Sequence, residues 1–207
     1  MICANIIFDT FISFKSIYMN NLIRNQVVNI LTESFFDNLS VNYIASTQPD
    51  SSSPAKTKKI RALMEYSYDV CSKYGEVILS EDNKAAALIL PSYENKKSTI
   101  LLDIKLIFNC IGISNLGKAL KREKLINEKY PADKKFFYIW FIGVKKDAQG
   151  EGRGGLLFSD LLKKASIKNY PVLLETSNTK NVDWYKKFGL NTYGTINTGF
   201  DLYFLKK

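Results

Sequence analysis

The stretch FFYIWFIGVKKDAQGEGRGG, residues 136–155, decides the fold. From Phe136 to Val144 it is aromatic or β-branched at nearly every position. A strand that is apolar on both faces belongs inside a sheet covered on both sides. The second half places four glycines, Gly150, Gly152, Gly154 and Gly155, within six residues. Beyond them Leu157, Leu161 and Ala165 recur at helical spacing, which predicts a helix over 152–168. A glycine loop between a strand and a helix offers bare backbone amides at the positive end of a helix dipole. Without Cβ atoms in the way, the oxygens of an anion can approach closely.

Working outward, residues 171–175 read as a second buried strand, and 178–188 as a short helix stopped by Gly189. Residues 191–195 and 200–205 read as two closing strands. Upstream, Ile23, Val27, Ile30 and Leu31 mark an amphipathic helix running into Phe35 and Phe36. A polar loop spans 46–54, and a helix over 56–73 is stopped by Gly75. Two short strands, 76–80 and 85–90, flank the polar turn Glu81 to Lys84. Residues 97–131 are apolar and helical, then strongly charged, and end at Pro131; they are expected to form a helical insertion. Residues 1–18 lack either periodicity and are expected to be a peripheral segment ahead of a domain spanning 19–207, with Met19 as an alternative translation start. The sum is one α/β layer architecture.

Composition narrows the function. The chain has 207 residues, 46% apolar and 13% aromatic, enough for a substantial core. Its net charge of +9 is dispersed, without a block of like charges or a nucleic-acid motif, so nucleic acid is not expected as a partner. No run approaches the roughly 20 uninterrupted apolar residues of a membrane span. The N-terminus lacks the charged region of a signal peptide. A cytoplasmic protein with no membrane partner is expected. Cys3, Cys71 and Cys110 are scattered, which argues against a disulfide framework or zinc site, and no metal is expected. The chain has no histidine. That excludes Ser-His and Cys-His nucleophilic machinery, and leaves a carboxylate, lysine, tyrosine or water as general base.

The anion at the glycine loop is open to two readings. A P-loop is absent. Gly150, Gly152 and Gly155 also spell the dinucleotide fingerprint, with Glu175 about 20 residues further on, where a ribose-binding acid belongs. Against that reading, residues 145–149 intervene between strand and glycines. Too little chain also follows to supply the further parallel strands.

The segment VKKDAQGEGRG, residues 144–154, resembles the acyl-CoA signature of the GNAT superfamily of N-acetyltransferases: Gln/Arg-x-x-Gly-x-Gly/Ala after a strand ending in Gly-Val. Further on, LETSN at 174–178 and WYKKFGL at 184–190 are similar to that family's later signature. There an Asn precedes a Tyr by seven residues and the pattern closes in Tyr-x-x-x-Gly-Phe, here Gly189-Leu190. The resemblance covers about residues 136–190. It implies a mixed, mostly antiparallel α/β sheet with splayed central strands. It implies direct transfer of an acetyl group from acetyl-CoA, as cosubstrate, to an amine of an unidentified small-molecule or protein acceptor.

Carried across, the backbone of Ile142 and Val144 would bind the pantetheine arm. Gln149 opens the signature, and the amides from Gly150 through Gly152 and Gly154 to Gly155 would hold the pyrophosphate. The Arg153 side chain would reach phosphate or face solvent. Asn178 matches the cofactor-contacting asparagine, with Asn181 as a weaker second; Asn178 also reads as a helix N-cap. Tyr185 matches the acid that protonates the departing thiolate, and also reads as a core tyrosine. The amine proton is expected to leave through water with Glu175, at the end of its strand, or with a backbone carbonyl; the rival role for Glu175 is to accept hydrogen bonds from loop amides. The insertion 97–131 is expected on the acceptor side, and a homodimer is compatible with the chain. The alternatives are a non-catalytic acyl-CoA sensor, a dinucleotide-binding protein and a nucleic-acid-associated protein.

Overall fold

A computed structural model describes residues 20–91, 99–131 and 135–207. The expectations for residues 1–18 and Met19 lie outside the described residues. Helix α1 occupies 20–34 and buries Val27, Val28, Ile30 and Leu31. The short helix α2, Leu39–Ala45, was not legible in the periodicity; the Asn38 side chain caps it by accepting from Val41 N–H. Helix α3, Pro54–Tyr74, starts at Ser53, whose side chain accepts from Lys56 N–H, with Pro54 in the first turn. It ends at Gly75, where a Cβ would lie 2.0 Å from the Ile89 carbonyl oxygen, so the passing strand excludes any side chain.

Strands β1, Glu76–Leu79, and β2, Ala85–Pro91, pair antiparallel as expected. Ser80 Oγ accepts from the Ala85 N–H, and Asn83 takes the left-handed conformation that the tight turn needs. The insertion is helical but broken. Helix α4, Ile100–Leu106, runs into a π turn at Ile107–Ile111 and stops at Gly112. A 3-10 turn and α5, Leu116–Asn127, follow after a 97° bend. Among the described residues no single helix is long and apolar enough to cross a membrane.

The second half follows the expected order: β3, Phe137–Val144; α6, Arg153–Ile167; β4, Val172–Thr176; α7, Thr179–Lys186; β5, Asn191–Asn197; and β6, Asp201–Lys206. The six strands form one sheet in the order β1-β2-β3-β4-β6-β5. Every pairing is antiparallel except β3 with β4. On one face of the sheet α6 and α7 cover Phe137, Ile139, Val172 and Leu174. On the other, α1, α2 and α3 cover Ala86, Leu88, Leu90 and Phe141, while Ile126 of α5 packs on Leu202 and Phe204. The central strands are therefore buried on both faces, as their composition requires.

The parallel pair positions the site. β3 and β4 are in register only at Phe137 with Val172 and Tyr138 with Leu173. Beyond those residues β3 continues beside β2 and β4 beside β6, and a gap opens between them. At the point of divergence Leu88 pairs with Phe141 and Ile89 with Ile139, so Trp140 is an extra residue on β3. A bulge of this kind bends its strand and increases the local twist.

Candidate acyl-donor and acceptor site

The gap has a backbone edge. Lys145 N–H donates to the Lys84 carbonyl, and Gly143 and Phe141 pair with Ala86 and Leu88. By the alternation of an antiparallel ladder, the amides and carbonyls of Ile142 and Val144 point away from β2, toward the gap. The Val144 carbonyl is already engaged, accepting from Ser34 Oγ at 2.7 Å and from Gln149 Nε2 at 3.1 Å. Gln149 thus closes the loop back onto the strand. Ser34, at the end of α1, can come this near only because Gly143 has no side chain: a Cβ there would lie 2.7 Å from Ser34 Oγ.

The glycine loop meets the start of α6 at this end of β3. Gly150 and Gly152 have φ of 83° and 80°, the left-handed region, and a Cβ at either would meet nothing within 4 Å. Their glycines are needed for backbone conformation, and the space beside them is open. Gly152 is the N-cap of α6, with no side-chain cap hydrogen bond. The first-turn amides of α6 therefore carry the dipole's positive end without a capping oxygen. Gly154 and Gly155 serve packing instead. A Cβ would stand 3.3 Å from Val144 Cγ2 at the first and 3.5 Å from Phe188 Cζ at the second.

Arg153 is placed differently from the phosphate-binding expectation. Its Nε donates to Asp82 Oδ2 at 2.5 Å in the β1–β2 turn, and its Nη1 pairs with Glu151. Hydrogen bonds from Ser80 and then Arg153 hold the Asp82 carboxyl down at about 2. Among the lysines near the loop, Lys145 pairs with Asp147 and Lys146 with Asp37, each at 3.8 Å.

Asn178 is exposed and caps α7, its side chain accepting from Lys180 N–H at 3.0 Å. Asn181 is exposed in the first turn of α7, its N–H donating to the Asn178 carbonyl. Tyr185 is only 7% exposed and packs on Phe158 and Trp184, with ring centroids 5.1 and 5.0 Å away. Burial, followed by the negative charge of Glu175, pushes its phenol well above the usual range. The two residues expected to act in catalysis are therefore within electrostatic reach of one another. They approach from opposite faces of β4: Tyr185 packs with Val172 and Leu174, and Glu175 points the other way.

Glu175 does not accept from loop amides. Tyr138 of β3 donates to its Oε1 at 2.7 Å, and Tyr130, at the end of the insertion, donates to its Oε2. Tyr130 in turn stacks on Phe136 and packs edge-on against Phe204. Desolvation raises the Glu175 carboxyl above its ordinary value, opposed by the Tyr130 hydrogen bond and then the positive charge of Arg122. The sequence reading missed Tyr130, Tyr138 and Arg122, because no local pattern links them to Glu175.

No protein-family model and no curated protein matches the chain. Solved structures do. An arylalkylamine N-acetyltransferase 2 from Aedes aegypti superposes with a TM-score of 0.63 at 18% identity, over 90% of this chain and 94% of that one. A histone acetyltransferase HPA2 and related acetyltransferase from Corynebacterium glutamicum gives 0.59 at 16%, over 89% and 90%. The C-terminal condensation domain of Ebony, in complex with beta-alanyl-dopamine, gives 0.59 at 10%, over 89% and 93%. The fold is that of the GNAT acetyltransferases, as the two sequence signatures imply.

Proposed function

We propose that the protein is an acetyl-CoA-dependent N-acetyltransferase that transfers the acetyl group directly to an amine. The observation that carries this reading is the parting of β3 from β4 with the Ile142 and Val144 backbone turned to the gap, next to an uncapped α6 N-terminus. An extended, amide-bearing arm ending in a pyrophosphate fits that edge. Its amides would pair with β3 and its phosphates with the amides of residues 150–155. A dinucleotide would need its glycines directly after a parallel strand, whereas a 3-10 turn, Lys146–Ala148, intervenes here.

In this reading an ammonium acceptor gives a proton to Glu175, and the neutral amine attacks the thioester carbonyl. The tetrahedral intermediate collapses with cleavage of the C–S bond and Tyr185 protonates the sulfur; the second proton of the amine nitrogen returns through water to the Tyr185 phenolate, and Glu175 releases the first to solvent. The enzyme supplies proximity, a base and an acid, and no covalent enzyme intermediate is formed. Acetyl-CoA should raise the melting temperature with occupancy and give binding heat by calorimetry. A larger shift with NADH than with acetyl-CoA, or no response to millimolar acetyl-CoA, refutes the reading.

A further inference from the structure

Arg122 projects from α5 into the face of the sheet that holds Glu175. It is only 9% exposed. One guanidinium nitrogen, Nη2, donates to Ser40 Oγ on α2, while Nε is buried with no hydrogen-bond partner among the described residues. A guanidinium cannot shed its proton, so a buried N–H left unpaired is a standing cost that a bound acceptor group would remove. Arg122 lies one helical turn before Ile126, which packs on Phe204, the residue that pairs with Glu175 between β4 and β6; its charge opposes the rise that burial imposes on the Glu175 carboxyl and the Tyr138 phenol. The same region is walled by Tyr130, Tyr138 and Phe204.

From this juxtaposition we infer that Arg122 binds a carboxylate of the acceptor, and that the acceptor is a small amino acid whose ammonium is delivered to Glu175. This rests on the acetyltransfer reading above. The two charges of a zwitterion match the two unlike charges on this face. A guanidinium is suited to a carboxylate because its N–H groups meet both oxygens in a plane. The aromatic walls favour an apolar or aromatic side chain on the acceptor, since the rings supply contact area without further charges to satisfy.

The test uses matched pairs that differ only by the carboxylate: phenylalanine with phenethylamine, and alanine with ethylamine. Thiol release is measured for the wild type, Arg122→Gln and Ser40→Ala, and acceptor binding to the CoA-loaded protein by calorimetry. The wild type should favour the amino acid of each pair at least about tenfold in kcat/KM. Arg122→Gln should erase that preference by raising KM for the acid far more than for the plain amine, which feels only the loss of the Arg122 charge near Glu175. Ser40→Ala removes only a hydroxyl and, by freeing Arg122 Nη2, should change KM for the acid and not for the plain amine, even if Arg122→Gln does not fold. Equal or inverted preference in the wild type overturns the inference, as does an equal loss for acid and amine in Ser40→Ala. Absence of amino-acid binding to a protein that still binds CoA also overturns it, while leaving the donor site standing. Failure to bind acetyl-CoA sinks the parent reading instead.

Discussion

Replacing Tyr185 by Phe removes one hydroxyl from a ring that is 7% exposed and wedged between Phe158 and Trp184. No hydrogen bond to that hydroxyl occurs among the described residues. The packing is retained and no partner is orphaned, so stability should change by less than about 1 kcal/mol. The kinetic effect can be bounded. General acid catalysis contributes about 10²–10⁴-fold. Burial pushes this phenol above its usual value of about 10, further from a thiol's value of about 8.5, so proton transfer to sulfur is uphill. A weak acid of this kind belongs at or below the bottom of the range. Turnover should fall roughly 10–100-fold, or about 1.4–2.7 kcal/mol in the barrier. Acetyl-CoA affinity should stay within about threefold, because the interaction is made only as sulfur departs. Single-turnover thiol release isolates the step from product dissociation, and calorimetry gives the affinity. Because the phenol stays protonated across the assay range, variant and wild-type pH profiles should run parallel. An unchanged single-turnover rate refutes the role, and an affinity loss as large as the rate loss would make Tyr185 a binding residue.

Glu175→Gln should change both rate and stability. The fold raises the Glu175 carboxyl, so its contribution to stability is complete below its unfolded value of about 4.3 and is lost as pH rises through the higher folded value. A neutral glutamine avoids that loss, so the variant should match the wild type in acid and melt higher at neutral pH, while its rate deficit grows from about pH 9 toward neutrality as more amine is protonated. Equal melting curves at every pH would remove the burial argument. Gly152→Ala should cost about 1–2 kcal/mol for a Cβ at a left-handed residue and weaken acetyl-CoA several-fold, since the methyl points into the open space by the α6 amides. Unaltered affinity would move the anion elsewhere. Arg153→Gln should leave acetyl-CoA affinity within about threefold and let the Asp82 carboxyl rise from about 2 in an NMR titration; a tenfold loss of affinity would restore the guanidinium to the phosphate site.

What the sequence disclosed depends on how local the cause is. β3, the glycine loop and α6 were readable because strand composition, glycine density and the Leu157–Leu161–Ala165 stripe act over a few residues. The parting of β3 and β4 was anticipated only through family signatures. The bulge that accompanies it falls at the extra residue Trp140, which is as apolar as its neighbours and carries no mark in the sequence. α2 was missed because seven residues with β-branched Val41 and Ile44 give no helical stripe; Asn38 as its cap was the only signal. Arg153 was readable as a loop cation but not as the partner of Asp82, since that contact exists only once the β1–β2 turn reaches the start of α6. Glu175 was found by its place at the end of β4. Its phenol partners come from a neighbouring strand and the end of the insertion, so their role belongs to the tertiary fold.

A chain without histidine has no side chain whose ordinary pKa suits proton exchange near neutrality. In the proposed reaction, burial has to produce one from groups that start far from it. It acts in the same direction on both, with opposite consequences. For Glu175 a raised pKa makes the carboxylate a better base toward an ammonium, and the hydrogen bonds from the Tyr130 and Tyr138 hydroxyls to its ionised form oppose the rise. For Tyr185 a raised pKa makes the phenol a poorer acid toward sulfur. In that proposal β4 separates the two functions, with Glu175 on the face that carries α5 and Tyr185 on the face against α7. The environment therefore favours the proton leaving nitrogen more than the proton arriving at sulfur. In the proposed reaction, collapse of the tetrahedral intermediate, and not deprotonation of the amine, is then expected to be the slower step. A donor with a better leaving thiol should accelerate the wild type, and should relieve most of the defect in Tyr185→Phe.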